Sequence, residues 1–284
     1  MKKLQIGDWV NNSVPECFEE CSFEQKLHAM TAKIFYQLDN MPDATVSTIK
    51  TELCLSLGRI PRKLFKQLTP EQIIVIKRMW RFVGDIKVTK LPFEYFDYQK
   101  VRYYLPAERF SNTSAIEWAM GMILYAQFGN AKTNKPLFEL VATLCRPARA
   151  DADAHRKSVL WNGDLRESYN SFLSQERVKL FEDGLPWGVV LCVKDYFENM
   201  LEQFVKKYEL LFEESDMKPL FQGGEGCIAM LEDVAESQVY GNLNAVYEIN
   251  IDNIYLFFKH KKMKAERDED EHEKRQRDLD SGWG

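Results

Sequence analysis

The residues able to do chemistry are few and scattered. The four histidines are His28, His155, His260 and His272, and none stands in a His-Glu-x-x-His or His-x-Glu pattern, the kind of spacing that would set metal ligands side by side. Cys17 and Cys21 form a Cys-x3-Cys pair. A zinc site needs a second pair of Cys or His at short spacing, and the nearest histidine, His28, stands alone seven positions beyond Cys21. With Cys54, Cys145, Cys192 and Cys227, these cysteines read as small buried hydrophobes of a reducing compartment. Gly223-Gly224-Glu225-Gly226 has glycines but neither the lysine nor the hydroxyl of a phosphate-binding loop, and Glu225 repels phosphate. It reads as a flexible helix start. No Gly-x-Ser-x-Gly elbow occurs, and a spatial Ser-His-Asp set cannot be read from residue order. The acid pairs Glu19-Glu20, Glu213-Glu214 and Asp268–Glu271 lie in polar sequence. Paired carboxylates divide into acid and base only where their surroundings separate their pKa values. The expectation is therefore no catalytic residue, no metal and no cofactor.

Aromatic residues are the other concentration. Phe93, Tyr95, Phe96, Tyr98, Tyr103 and Tyr104 crowd into a dozen positions. Such a cluster either grips a partner, as interface aromatics do, or lies as a lid on a helical core, where large rings contribute burial. A gripping surface would use Phe93, Tyr95, Phe96, Tyr103 and Tyr104, together with Phe197 and Phe204 of a long helix.

The elements that must position these residues are mostly helices. Ser22 with Gln25 has capping-box spacing and opens a helix through Leu27, Met30, Ile34 and Leu38, stopped by Asn40-Met41-Pro42. A second helix starts near Val46, with Ile49 and Leu53 on the same face, and breaks at Gly58 and Pro61. Thr69-Pro70-Glu71-Gln72 is the clearest start. Ile73, Ile76, Trp80 and Val83 carry that stripe to a left-handed stop at Gly84. From Asp85 to Leu105 the period becomes two, in Ile86 and Val88 and then in Phe93, Tyr95, Val101 and Tyr103. This predicts a hairpin that needs helices to pack on. Ser114 with Glu117 opens a helix ending at Gly129, and a shorter one spans Pro136–Cys145. Residues 148–163 read as an exposed connector. Asp164 with Glu167 opens a helix to about Glu182, followed by a turn at Gly184 and Pro186. Residues 187–212 form the longest apolar-rich helix, with Val190, Val193, Phe197, Met200, Phe204 and Leu211 on a broad face. After a loop at 212–226, helices fit 226–237 and 244–263. The tail beyond Lys262 is nearly balanced charge, a solvated helix extension or a disordered segment, and Trp283 sits at a frayed end.

Composition sets the frame. With 45% hydrophobic, 13% aromatic and 29% charged residues, the 284-residue chain can bury a core and is globular, as one large domain or two small ones. A net charge of -5 with a pI near 5.6 and no long basic run argue against general nucleic-acid or anionic-membrane binding, leaving only a patch made by folding. The start MKKLQIGDWVNNS has no apolar run of a secretory signal, and no segment approaches the roughly 20 apolar residues that span a bilayer. The expected fold is mainly α, a multi-helix orthogonal bundle with a small β-hairpin near residues 85–105. Its expected division is an N-terminal helical region at 1–90, a helical core region at 91–262 and a charged tail at 263–284 taken as disordered.

Four segments carry a family resemblance: Tyr104–Thr113, the helix Pro136–Pro147 ending in Arg146-Pro147, Tyr169 to Phe204, and Gly226–Lys262 with Leu231, Val234, Ala235, Glu236 and Tyr255-Leu256-Phe257-Phe258. Together, over roughly Leu91 to Lys264, they resemble tail-assembly proteins of tailed bacteriophages, encoded near the tape-measure protein and in part similar to tail assembly chaperones. Trp118 stands where that pattern has an acidic residue. The resemblance implies an assembly factor of the host cytoplasm, without catalysis. Its partner would be a phage tail or tape-measure protein held by helix-in-groove contact, with self-association compatible and no nucleic acid or membrane involved. A structural virion component, such as a connector or baseplate part, is the alternative. An enzyme hidden among the helices is a third reading, and ionisable groups converging in a pocket would mark it.

Overall fold

A computed structural model describes residues 1–7, 10–37, 42–159, 161–212 and 224–281. In chain order the elements are β1 (Lys2–Ile6), β2 (Val10–Val14), α1 (Phe23–Gln37), α2 (Asp43–Leu57), α3 (Arg62–Phe65), α4 (Pro70–Met79), β3 (Tyr95–Tyr98) and β4 (Val101–Tyr104). Then come α5 (Ala115–Asn130), α6 (Lys135–Leu144), α7 (Ala152–Arg156), α8 (Ser171–Glu182), α9 (Trp187–Lys207), α10 (Glu225–Glu236), α11 (Leu243–Glu248) and α12 (Ile251–Ser281). The protein is mainly helical with two small antiparallel two-stranded sheets. It forms two compact units, residues 1–105 with 175–199 and residues 106–174 with 200–284. The boundary expected at residue 90 is not where the chain divides. Leu38, the stop at Asn40-Met41, Glu213-Glu214, Gly223 and Trp283 lie outside the described residues.

The first unit opens on a hairpin in the region read as helical. Lys2 pairs with Val14 and Ile6 with Val10. Leu4, Val10 and Val14 are buried, and the Asn12 side-chain amide donates to the Gly58 carbonyl at 3.1 Å, satisfying backbone freed at the end of α2. The Ser22–Gln25 capping box closes at 2.9 and 3.4 Å, and Gln25 also donates to the Leu57 carbonyl. α2 starts at Asp43, three residues before the expected point. α4 has the full Thr69–Gln72 box, but it stops at Met79 and tightens into a 3-10 turn over Arg81–Asp85. That turn buries Trp80 and Val83, and Gly84 is not left-handed. Ile86 and Val88 are buried without strand pairing, so the β signal holds only for 95–104. Phe96 stacks on Tyr103 at 5.4 Å, and both rings meet Phe181 of α8. Lys33 of α1 pairs with Asp195 of α9.

The second unit is centred on α5 and α6. Rings of Phe110, Trp118, Phe204, Tyr208 and Tyr255 pack at centroid distances of 4.6–5.8 Å. Burial, followed by the Asp252 carboxylate that accepts its hydroxyl at 2.8 Å, pushes the Tyr208 phenol above its usual pKa. Residues 164–170 are not helical. Asp164 accepts from the Arg166 amide, Ala148 bridges to Arg166, and α8 starts only at Ser171, where Asn170 caps Leu173 at 3.0 Å. The 148–163 connector holds the short α7. The helix expected over 244–263 is two helices. Asn250 breaks it by capping Asp252 and donating to the Phe110 and Ser111 carbonyls. α12 then continues through the charged tail to Ser281, with Arg267–Glu271 and Arg277–Glu273 pairs one turn apart. Gly224 begins α10 at φ +91, and a Cβ there would lie 2.9 Å from Ile123, so glycine is required on both counts.

Candidate functional site

Glu117 sits in the first turn of α5, where its amide is capped by Ser114 Oγ at 3.4 Å. Its carboxylate, fully buried, goes elsewhere. Oε1 accepts from Arg166 Nη1 at 2.7 Å, and Oε2 accepts from Arg146 Nη2 at 2.9 Å and Arg166 Nη2 at 3.2 Å. Asp164 closes the group, taking Arg166 Nε at 2.8 Å and Nη2 at 3.0 Å, with Arg146 3.5 Å away. The guanidiniums also donate to backbone: Arg146 to Thr143, Arg166 to Leu144 and Asn112. Burial opposes the charge on Arg166, yet Glu117 and Asp164 overcome that cost and hold its pKa above the usual arginine value. Two cations and two anions cancel, which is how buried charge is tolerated. Within this group, Arg146 Nε has no partner among the described residues.

This group floors a recess of about 270 Å³ in the second unit, rimmed by Arg149, His155, Asn162, Ser168, Tyr169 and Glu248. Arg149 is held by Asp151 at 2.5 and 3.2 Å. The His155 ring lies edge-on to Trp161 at 5.5 Å. The floor carboxylates are committed to arginines, and the remaining polar side chains of the recess stand at its rim. Sequence reasoning passed it over because Glu117 and Asp164 each stand where a capping-box member belongs, and both form charge clusters instead. Among the described residues, no three His, Cys, Asp or Glu side chains converge as a metal cluster.

The aromatic residues expected to grip a partner are divided by the fold. Phe96, Tyr103, Phe197 and Phe204 are buried and serve as core. Phe93 and Tyr104 are half-buried and Tyr95 is exposed. Tyr95 lies against Tyr104 at 5.7 Å, and the Arg102 guanidinium lies over its ring at 3.8 Å, a cation–π contact. The hairpin thus covers Phe181 as a lid does, and the broad face of α9 is likewise inside.

Apolar concavity lies instead in the first unit. One groove of about 280 Å³ runs between α1 and α2, lined by Ala32, Phe35, Ile49 and Leu53 with His28 and Thr48. Another, of about 320 Å³, lies between the first hairpin and α4, with Leu4, Ile6, Leu68, Val75 and Met79. Among the described residues, no helix is long and apolar enough to cross a membrane. No protein family, curated protein or solved structure matches the chain.

Proposed function

We propose that this protein is a phage tail assembly factor that holds an apolar helical segment of a tail or tape-measure protein, without catalysis. The observation that carries the reading is the α1–α2 groove, where Phe35 and Ile49 present aromatic and aliphatic surface in a concavity of about 280 Å³. A groove of this kind takes the apolar stripe of an amphipathic helix. The family resemblance over residues 91–264 supplies the identity of the partner. Co-expression with a tailed-phage tape-measure protein is the test. The expected result is co-purification and a more soluble partner, both lost in Phe35→Asp. Unchanged solubility and no co-purification would remove the reading. Stoichiometric copies in purified virions, read by mass spectrometry, would favour the connector or baseplate alternative.

The polar recess supports a second reading, a binding site for a small polar ligand. Its observation is the convergence of Arg149, His155, Tyr169 and Glu248 over the buried charge group. A metabolite screen by thermal shift tests it. Stabilisation by a ligand that disappears in Arg149→Ala supports the site, and no stabilisation removes it.

A further inference from the structure

A third concavity in the first unit, about 270 Å³, lies between α2 and α4 and is lined by Lys50, Ile74, Lys77, Arg78 and Arg81. Ile74, Lys77 and Arg78 share one face of α4, and Arg81 joins them from the 3-10 turn that follows. Lys77 is fixed in place, its ammonium donating to the Ser47 hydroxyl at 3.1 Å and the Ser47 carbonyl at 3.3 Å. Arg78 and Arg81 are exposed, and neither makes an ion pair or hydrogen bond among the described residues. The segment from Arg59 to Lys90 carries nine lysines and arginines against only Glu71 and Asp85, in a chain of net charge -5. The local field is therefore the reverse of the molecule's. At the centre of the cations, Ile74 is 51% exposed, and the adjacent Val75 61%.

We infer that this groove docks an acidic amphipathic helix of a partner protein, seating an apolar side chain on Ile74 and carboxylates on Lys77, Arg78 and Arg81. The inference rests on the reading that the protein binds helical segments, and it adds the charge such a segment must carry. Guanidiniums grip carboxylates in paired hydrogen bonds, and the apolar centre of the ring matches the helix's own stripe. A nucleic-acid strand is the poorer match, since such strands call for aromatic stacking platforms as well as cations. The groove offers an aliphatic centre, and Trp80, the aromatic at the end of α4, is buried.

The test uses the full chain and three fluorescent probes: a peptide of roughly four helical turns with a leucine stripe flanked by glutamates, the same peptide with lysines, and a single-stranded oligodeoxynucleotide. Anisotropy should show the acidic peptide binding and the basic one not. Arg78→Glu with Arg81→Glu, and separately Ile74→Ser, should each weaken binding by about tenfold or more. All these positions are exposed, and circular dichroism confirms that the variants fold. The inference is overturned if the acidic peptide fails to bind at low salt or ignores both variants. It is also overturned if the oligonucleotide binds, loses affinity in the arginine variant and is indifferent to Ile74→Ser, which assigns the groove to nucleic acid. If tape-measure co-purification fails while the acidic peptide binds, only the partner's identity falls. If co-purification succeeds and the peptide fails, the partner docks elsewhere.

Discussion

Glu117 is the residue on which the second unit's buried charge depends. Replacing it with Gln preserves shape and removes one negative charge, leaving Arg146 and Arg166 buried against Asp164 alone. Breaking a buried ion pair from one side costs about 3–5 kcal/mol. Glu117→Gln should lower the urea midpoint accordingly with little change in slope, and a shift equivalent to less than 1 kcal/mol would show the group to be solvated. The cysteines make a prediction with a definite sign. Burial raises the Cys54 thiol from its ordinary 9.0 to about 11, and the Cys21 thiol from 9.0 to about 12. Above pH 9 the unfolded chain releases protons that the folded chain keeps. Stability from this source is complete below that pH and falls as pH rises, by about 1.4 kcal/mol per unit for each thiol. Urea midpoints between pH 8 and 10.5 should fall less steeply in the Cys21→Ala, Cys54→Ala double variant than in the parent. Parallel lines would refute the burial account.

At the scale of elements, the hairpin 95–104 turns through Gln99 and Lys100, both left-handed at φ +47 and +66. Asn-Gly is the pair such a two-residue turn prefers, and side chains other than Gly, Asn and Asp pay for this conformation. Gln99→Asn with Lys100→Gly should therefore stabilise the protein by about 1 kcal/mol, read as a raised melting temperature, and a drop would mean the turn is not of this type. Local signals of this kind were legible in the sequence. The boxes at Ser22–Gln25 and Thr69–Gln72 formed because both partners are consumed within one turn. The β signal at 95–104 held because Phe96 and Tyr103 share one face and Phe181 covers it. Signals failed where a side chain had another partner. Ser114 does open α5, as its spacing with Glu117 indicates, but the Glu117 carboxylate goes to an arginine 29 residues away. Asp164 turns to Arg166 two residues on, and no helix starts there. Asn250 breaks a continuous apolar stripe by bonding carbonyls near residue 110. The β1–β2 hairpin was hidden because its inward Asn12 looks polar until the Gly58 carbonyl is seen beside it. Phe96 and Tyr103 are core for a related reason: an aromatic cluster is equally good at gripping and at filling, and the position of Phe181 against both rings decides between them for these two.

At the scale of the whole molecule, each unit is made of two stretches of chain, and the breaks fall inside α8 and α9. The first unit cannot be had by cutting at residue 90 or at 105. Residues 175–199 supply it with Val178, Phe181, Leu185, Val189, Val190, Cys192, Val193, Tyr196 and Phe197, all buried. They also bring Gly188, where a Cβ would lie 2.4 Å from the Leu27 carbonyl, so α9 lies nearly backbone to backbone against α1. Burying one such large apolar side chain is worth about 1.5–3 kcal/mol, while domains are stable by only about 5–15 kcal/mol in total. Residues 1–105 expressed alone should therefore lose cooperative unfolding and expose apolar surface that binds a hydrophobic dye. Joining residues 175–199 to that chain through a flexible linker should restore a sigmoidal urea transition, and Gly188→Leu in the joined chain should abolish it again. A cooperative transition from residues 1–105 alone would show that α1–α4 and the two hairpins carry a sufficient core without α9. The unit would then be contiguous in sequence after all.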